Sequence, residues 1–233
     1  MCTLSIFKTS KEGIIVTSNR DEHMARPTLP PQVYSVGGMD VVFPKDELKN
    51  GTWLAMGANG VVVCVLNGGF EPHQMGRVFA KSRGQIVLDV FRNGSVASFL
   101  DHLDCTGVEP FTLVLLDTQS EEITEVVWDE NKIHHRPVAM DKPLLWSSTS
   151  LYAPKVREER KILFENWINK GNKHSKDVRT LHVEPKEKGG FLLPPHSFLK
   201  TVSVSQIIVG SLRAEFEYSD LIQGTEHSVG LKF

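Results

Sequence analysis

The chain has 233 residues, of which 40% are hydrophobic and 23% are charged, and its formal net charge is −2. This composition is typical of a globular protein and excludes a disordered or collagen-like chain. The nearly balanced charge gives no electrostatic reason to expect nucleic acid or an acidic membrane surface as a partner.

Segments rich in β-branched and aromatic residues recur along the chain and predict strands. They are Thr3–Phe7, Ile14–Ser18, Thr52–Gly57, Val61–Leu66, Phe111–Leu116, Ile123–Trp128, Thr201–Val209 and Leu212–Tyr218. Short turns join most neighbouring segments. The clearest turn is Asn59-Gly60, because Asn-Gly between apolar runs is the strongest short hairpin signal.

Helical spacing of apolar residues predicts three helices in the middle of the chain. The first follows a possible cap at Ser82, the second runs from Ser95 to about Leu103, and the third begins near Pro154. Two segments are expected to be loops, namely the Pro- and Gly-rich stretch Arg26–Asn50 and the stretch Lys170–Pro195.

Strands come first, helices follow, and strands return at the end of the chain. Because hairpins join most of the strands, this order predicts an α+β protein with antiparallel sheets rather than a doubly wound parallel fold. No repeat or linker divides the sequence, so residues 1–233 are expected to form a single domain. The sequence does not predict an oligomeric state.

The three cysteines, Cys2, Cys64 and Cys105, are an odd and sparse set. They do not form a disulfide framework or a zinc-binding spacing, and no metal or cofactor is expected. No apolar stretch approaches the length of about 18 residues that a membrane span needs. The first apolar stretch is too short for a signal peptide, so the cytoplasm is the expected compartment.

Cys2 follows the initiator Met1, which an aminopeptidase is expected to remove because cysteine is small. The thiol and a free α-amine would then share one residue. In model compounds the amine titrates near about 7.7–8.0 and the thiol near about 8.5, so the amine can act as a base for its own side chain.

A polar run, Ser18-Asn19-Arg20-Asp21-Glu22, ends the second predicted strand. In a hairpin this end lies close to the start of the first strand, and therefore to Cys2. Asp21 could hold the amine, and Arg20 could favour the thiolate. The alternative interpretation is a charged turn without a chemical role.

Asn67 ends the apolar run Val61–Leu66 and precedes Gly68-Gly69. A side-chain amide beside glycine N–H groups suits a developing oxyanion, whereas the alternative is that Asn67 only starts a turn. Asn19, Trp53 and Gly68 are candidate contacts for a small-molecule substrate or ligand, although Trp53 is also typical of a core residue.

These motifs resemble the NRDE family, which is also called the transport and Golgi organisation family. The resemblance rests on Cys2-Thr3-Leu4, Ile14–Glu22, Arg26-Pro27 and Gly51-Thr52-Trp53-Leu54, and more loosely on Tyr152–Arg157. The family is similar in layout to N-terminal nucleophile (Ntn) hydrolases of the penicillin V acylase and bile salt hydrolase group. The resemblance implies a four-layer αββα sandwich.

The resemblance also implies a catalytic set of Cys2 as nucleophile, Arg20 and Asp21 as its supports, and Asn67 in the oxyanion hole. Two further groups of the hydrolases are missing here. The stretch Leu145–Ser150 has no second Asn, with Ser148 or Thr149 as possible substitutes, and Val202 occupies the place of a late Arg.

Two functions follow from this combination. One is an amidohydrolase that cleaves a non-peptide amide through Cys2. The other is a non-catalytic small-molecule binding or trafficking protein on the same scaffold, related to haem or lipid handling as animal members of the family are. The missing groups favour the second function, and the cluster around Cys2 favours the first.

Overall fold

The computed structural model describes residues 3–72, 78–171, 174–193 and 199–233. The strands in these ranges are β1 (Thr3–Thr9), β2 (Gly13–His23), β3 (Thr28–Val36), β4 (Met39–Asp46), β5 (Leu54–Gly57), β6 (Val61–Asn67), β7 (Phe111–Asp117), β8 (Glu122–Trp128), β9 (Ile133–Val138), β10 (Leu144–Ser147), β11 (Leu199–Val209), β12 (Arg213–Asp220) and β13 (Thr225–Lys232). The helices are α1 (Arg83–Arg92), α2 (Val96–His102), α3 (Pro154–Asn169) and α4 (Ser175–Val183), with a short 3₁₀ turn at Lys186–Lys188.

The chain forms two compact units. The first unit comprises the described residues up to Arg26, Met140–Ser148 and Tyr152–Lys232, and the second comprises mainly Pro27–Ala139 together with Thr149–Leu151. Each unit holds one sheet and two of the helices. The expectation of a single domain over residues 1–233 stays a prediction.

The first unit is built on a six-stranded sheet in the order β10-β1-β2-β11-β12-β13. Its central hairpin pairs Thr3 with Asn19 and continues to Thr9 opposite Gly13. Helices α3 and α4 cover one face of this sheet through a buried apolar cluster of Phe7, Ile15, Phe164, Ile168, Val178, Leu181 and Phe191. Burial of these side chains is the main force that holds the helices on the sheet.

The second unit is built on a seven-stranded sheet in the order β3-β4-β5-β6-β7-β8-β9. Helix α1 buries Ile86, Val87, Val90 and Phe91. The predicted serine caps are present, because the hydroxyl of Ser82 accepts the N–H of Gly84 and that of Ser95 accepts the N–H of Ser98.

All the pairs of neighbouring strands in the described ranges are antiparallel. The predicted α+β class with two mostly antiparallel sheets is therefore confirmed. In the same ranges, none of the helices is long and apolar enough to cross a membrane.

The expectation of a loop over Arg26–Asn50 was wrong, because this stretch forms the β3–β4 hairpin. Its prolines and glycines are compatible with strands for local reasons. Pro30 and Pro31 lie where the register of β3 shifts, and β3 is an edge strand, where proline is tolerated. Gly37 and Gly38 supply the positive φ angles, 61° and 82°, that the turn requires.

The expectation of a loop over Lys170–Pro195 was also wrong, since the stretch contains α4. Glu12, in the turn between β1 and β2, accepts hydrogen bonds from the backbone N–H and the hydroxyl of Ser175, at 2.8 and 2.7 Å. This carboxylate satisfies the first turn of α4 from a distant part of the chain, and local sequence patterns do not reveal such a cap.

Candidate functional site

Strand β2 continues through the polar run that the sequence places at its end. Asn19, Arg20 and Asp21 are all buried within the sheet rather than in a charged turn. On one side Asn19 pairs with Thr3, the first described residue of β1. On the other side Arg20 pairs with Ser203 and Asp21 with Thr201 of β11. Cys2, like Met1, lies outside the described residues.

Asp21 is 1% exposed, and both of its carboxylate oxygens accept hydrogen bonds from hydroxyl groups. Tyr152 donates to Oδ2 at 2.6 Å, and Thr201 donates to Oδ1 at 2.5 Å. Thr201 in turn accepts the backbone N–H of Leu193 at 2.9 Å, which leaves its single hydroxyl hydrogen for Asp21. The carboxylate is therefore fixed in orientation.

Arg160, on the second turn of α3, connects Tyr152 to the start of β1. Its guanidinium carbon lies 4.0 Å from the ring centroid of Tyr152. Nη1 donates to Thr3 Oγ1 at 2.5 Å, and Nη2 donates to the carbonyl oxygen of Phe191 at 3.1 Å. One planar cation thus holds three segments of the first unit together.

Asn19 belongs to a second polar group, with His182 of α4 and Ser5 of β1. His182 Nε2 lies 2.8 Å from Ser5 Oγ, and its Nδ1 is hydrogen-bonded to Asn19 Oδ1. Asn19 Nδ2 also donates to the carbonyl oxygen of His182 at 2.9 Å. Burial, with a smaller contribution from the charge of Arg160, lowers the pKa of His182 to about 3. The imidazole is therefore neutral and joins α4 to the sheet.

These contacts separate the side chains of β2 into two faces. On one face, Asn19 donates to the carbonyl oxygen of His182 in α4, and Asp21 accepts from Tyr152. On the same face, Thr17 accepts from Gln206, which also donates to the carbonyl oxygen of Ser175 in α4. Because side chains alternate along a strand, Arg20 lies on the face opposite to Asp21.

On that opposite face Arg20 acts electrostatically on Tyr218 of β12. Burial raises the pKa of the Tyr218 phenol, while the hydrogen bond with Ser203 and the charge of Arg20 act in the lowering direction. Arg20 and Asp21 are thus neighbours in β2, but their side chains lie on opposite faces of the sheet and are not brought together.

Asn67 and Gly68 end β6 in the second unit, where Asn67 pairs with Phe111. Gly68 has a φ of 91°, its N–H donates to Pro110, and its carbonyl accepts the Thr112 hydroxyl. The Gly68 backbone is therefore committed to hydrogen bonds within the second unit.

Thr149 lies directly against Gly68, since a Cβ built there would be 2.1 Å from Thr149 Oγ1. Thr149 is one of the two residues that the sequence offers in place of the second Asn. Trp53, the remaining sequence-predicted contact residue, is also in this unit and is buried.

The described residues contain no group of three or more His, Cys, Asp or Glu side chains that could hold a metal ion. His134 and His135 are adjacent on β9, and His134 Nε2 lies 2.8 Å from the carboxylate of Asp129. Adjacent strand residues point to opposite faces, so this pair does not chelate a single ion.

Sequence reasoning missed Tyr152, Thr201, Arg160 and His182 as members of the polar groups. Tyr152 opens the loosely matched motif Tyr152–Arg157, but neither it nor Thr201 can be paired with Asp21 from the sequence, because they lie 131 and 180 residues away from it along the chain. His182 lies in the stretch expected to be a loop. The one indication in the sequence is the polar run Asn19–Asp21 at the end of an apolar strand, because polar side chains that are buried need hydrogen-bond partners.

Comparison with known proteins adds a family and a fold. A sequence model described as "Transport and Golgi organisation 2" matches residues 1–189. No curated protein matches the chain.

A structure of the Caenorhabditis elegans ortholog of N-acylethanolamine-hydrolyzing acid amidase is similar, with a TM-score of 0.61 and 14% identity over 89% of this chain and 92% of the other. Two variants of conjugated bile acid hydrolase from Clostridium perfringens each have a TM-score of 0.59 and 11% identity, over 98% of this chain and 92% of theirs. At these identities the likeness shows the fold alone. It bears out the fold class that the resemblance implies.

Proposed function

Because the chain belongs to the transport and Golgi organisation 2 family and has the fold of Ntn hydrolases, we propose that it is an N-terminal cysteine amidohydrolase. Its substrate is a linear, non-peptide amide. The observation that carries the proposal is the buried Asp21 carboxylate. Two hydroxyl donors fix it on the strand that pairs with the start of β1.

Cys2 is the proposed nucleophile. Consecutive Cα atoms are about 3.8 Å apart, so its covalent bond to Thr3 tethers it to the position that pairs with Asn19. After removal of Met1, the α-amine takes the proton of the thiol and the sulfur attacks the amide carbonyl carbon. The amine then returns the proton to the leaving nitrogen as the C–N bond breaks, which leaves a thioester on Cys2. Water hydrolyses the thioester and releases the acid and the free thiol.

Each supporting residue has a separate role in this proposal. Asp21 orients the N-terminal amine, and Arg20 supplies the positive charge that favours the thiolate. The amide of Asn67 is the proposed donor to the oxyanion. Asn19 orders the start of β1, and Trp53 and Gly68 are proposed to contact the substrate.

The substrate class follows from chemistry that the similar structures share by name. One is called N-acylethanolamine-hydrolyzing and the other a conjugated bile acid hydrolase. Both names describe an acyl or acid group that is joined to a second group. We therefore infer an N-acyl amine with an apolar acyl chain as the first substrate class to test.

The test is hydrolysis of a panel of N-acyl amides that carry a fluorogenic amine. The wild-type protein is expected to release the amine, and Cys2→Ala is expected to abolish release. Asp21→Asn is expected to slow release by at least about 100-fold, because an amine that Asp21 no longer orients loses the usual contribution of a positioned proton-transfer group. Cys105→Ala, a matched cysteine substitution at a buried position, is expected to hydrolyse the panel as the wild type does.

Intact mass of the purified protein provides the necessary companion measurement. The proposal requires that Met1 be absent, because a retained methionine blocks the α-amine. Turnover that persists in Cys2→Ala, or a protein that retains Met1 and still hydrolyses the panel, would contradict the proposal. Saturable binding of an acyl ligand or haem by a protein with no turnover would instead favour the binding or trafficking function.

A further inference from the structure

We infer that Tyr152 and Arg160 are positioning residues, which link Asp21 to the first residues of β1 and set the reactivity of Cys2. The inference rests on the proposed function and assigns it two residues of the α3 region. It follows from a continuous chain of contacts in the first unit. That chain runs from Asp21 through Tyr152 and Arg160 to Thr3.

The first link is the hydrogen bond from Tyr152 to Asp21 Oδ2, at 2.6 Å. The phenol O–H donates and the carboxylate oxygen accepts. Tyr152 is itself buried and lies two residues before Pro154, where α3 begins. Its ring therefore holds one carboxylate oxygen in place, while Thr201 holds the other.

The second link is the guanidinium of Arg160 over the Tyr152 ring, with 4.0 Å between its carbon and the ring centroid. A cation over an aromatic face is attracted by the ring quadrupole. The same group lies 5.4 Å from the ring centroid of Phe191, so it contacts two aromatic rings. This stacking fixes the plane in which the guanidinium donors point.

The third link is the hydrogen bond from Arg160 Nη1 to Thr3 Oγ1, at 2.5 Å. Thr3 is fully buried and pairs with both Asn19 and Ser147, so it sits between two strands. The cation therefore orders the residue that directly follows the proposed nucleophile in sequence. A cation close to a thiol favours the thiolate.

Two kinds of variant separate the links. Arg160→Gln removes the charge and most of the donors, whereas Arg160→Lys keeps the charge and loses the planar fork. Tyr152→Phe keeps the aromatic ring under the cation and removes only the donor to Asp21. Tyr34→Phe is the matched control, because the Tyr34 ring stacks on Phe43 in the second unit and takes no part in these contacts.

The experiment is the pH dependence of alkylation of Cys2 by iodoacetamide, followed by peptide mass spectrometry on the full-length protein with Met1 removed. Peptide mapping separates Cys2 from Cys64 and Cys105, both of which are buried. Thermal melting of every variant is measured alongside. A merely structural role would lower the melting temperature and leave the midpoint of the pH profile unchanged.

The expected result is a rise of about one pH unit in the midpoint for Arg160→Gln, because removal of one nearby charge shifts a titration by about that amount or more. Tyr152→Phe is expected to shift the midpoint in the same direction, Arg160→Lys by less than Arg160→Gln, and Tyr34→Phe not at all. Wild-type midpoints in both Arg160→Gln and Tyr152→Phe would overturn the inference. If Arg160→Gln does not fold, the midpoints measured for Arg160→Lys and Tyr152→Phe decide whether the inference holds.

The wild-type profile tests the proposed function separately. If wild-type Cys2 reacts with the midpoint of a free thiol, near about 8.5, the proposed nucleophile is wrong whatever the variants do. If the wild-type midpoint is depressed and the variants leave it there, the nucleophile stands and the positioning role of Tyr152 and Arg160 fails.

Discussion

Protonation of His182 should control how much stability the folded protein loses as the pH falls. The imidazole is fully buried between Ser5 and Asn19, and its pKa is lowered from 6.5 to about 3 by burial and, less, by the charge of Arg160. Above pH 6.5 the side chain is neutral in both the folded and the unfolded chain. Below pH 6.5 only the unfolded chain takes up the proton, so stability falls with pH until the folded-state pKa is reached.

The size of this effect follows from the two pKa values. Each pH unit between them costs about 1.4 kcal/mol for one proton, so at pH 4.5 His182 alone should have removed about 3 kcal/mol. Domains are stable by about 5–15 kcal/mol, so this loss is a large part of the total. His182→Gln does not titrate, and its lost contacts with Ser5 and Asn19 cost about 1–3 kcal/mol at every pH.

The assay is urea unfolding of the wild type and His182→Gln at pH values from 7.5 to 4.5. The unfolding free energy of the wild type, relative to that of His182→Gln, should fall by about 3 kcal/mol over this range, because the other titrating groups are common to both. In the wild type, the NMR signals of the His182 ring should show no protonation above about pH 4. A constant difference between the proteins, or a ring that titrates near its ordinary value, would refute the reasoning.

Three further predictions follow from single contacts. Gly68→Ala should destabilise the protein by more than about 1 kcal/mol in thermal melts, because its φ of 91° and the approach of Thr149 leave no room for a Cβ; a wild-type melting temperature would contradict this. Glu12→Ala should cost about 1 kcal/mol in urea unfolding through loss of the α4 cap at Ser175, whereas Glu12→Gln should recover part of it. Cys105, whose pKa burial raises to about 12, should resist iodoacetamide at pH 8 until the chain unfolds, and rapid native labelling would show that it is accessible.

The sheets were largely predictable because their strands carry their own signals. The Asn59-Gly60 hairpin and the apolar run before Asn67 are local patterns, and the structure has strands β5 and β6 there. Other strands carry no such signal. Strand β13, for example, is mostly exposed and polar, and it is ordered by pairing with β12 rather than by its own composition.

The candidate site was predictable only in part, for a related reason. Asn19, Arg20 and Asp21 are contiguous, and a polar run inside an apolar strand is visible in one sequence. Their partners come from distant segments, as the Tyr152–Asp21 bond illustrates. Such contacts depend on how helices pack against the sheet, and no local pattern encodes that packing.

The central claim is that Cys2 becomes acylated, and trapping of that intermediate tests it most directly. The protein is incubated with an activated acyl ester, quenched in acid and mapped by peptide mass spectrometry. We expect one acyl group on an N-terminal Cys2 that lacks Met1. We also expect much slower labelling in Asp21→Asn and none at this peptide in Cys2→Ala. Acylation at other residues only, or an N-terminal peptide that keeps Met1 and remains unmodified, would contradict it.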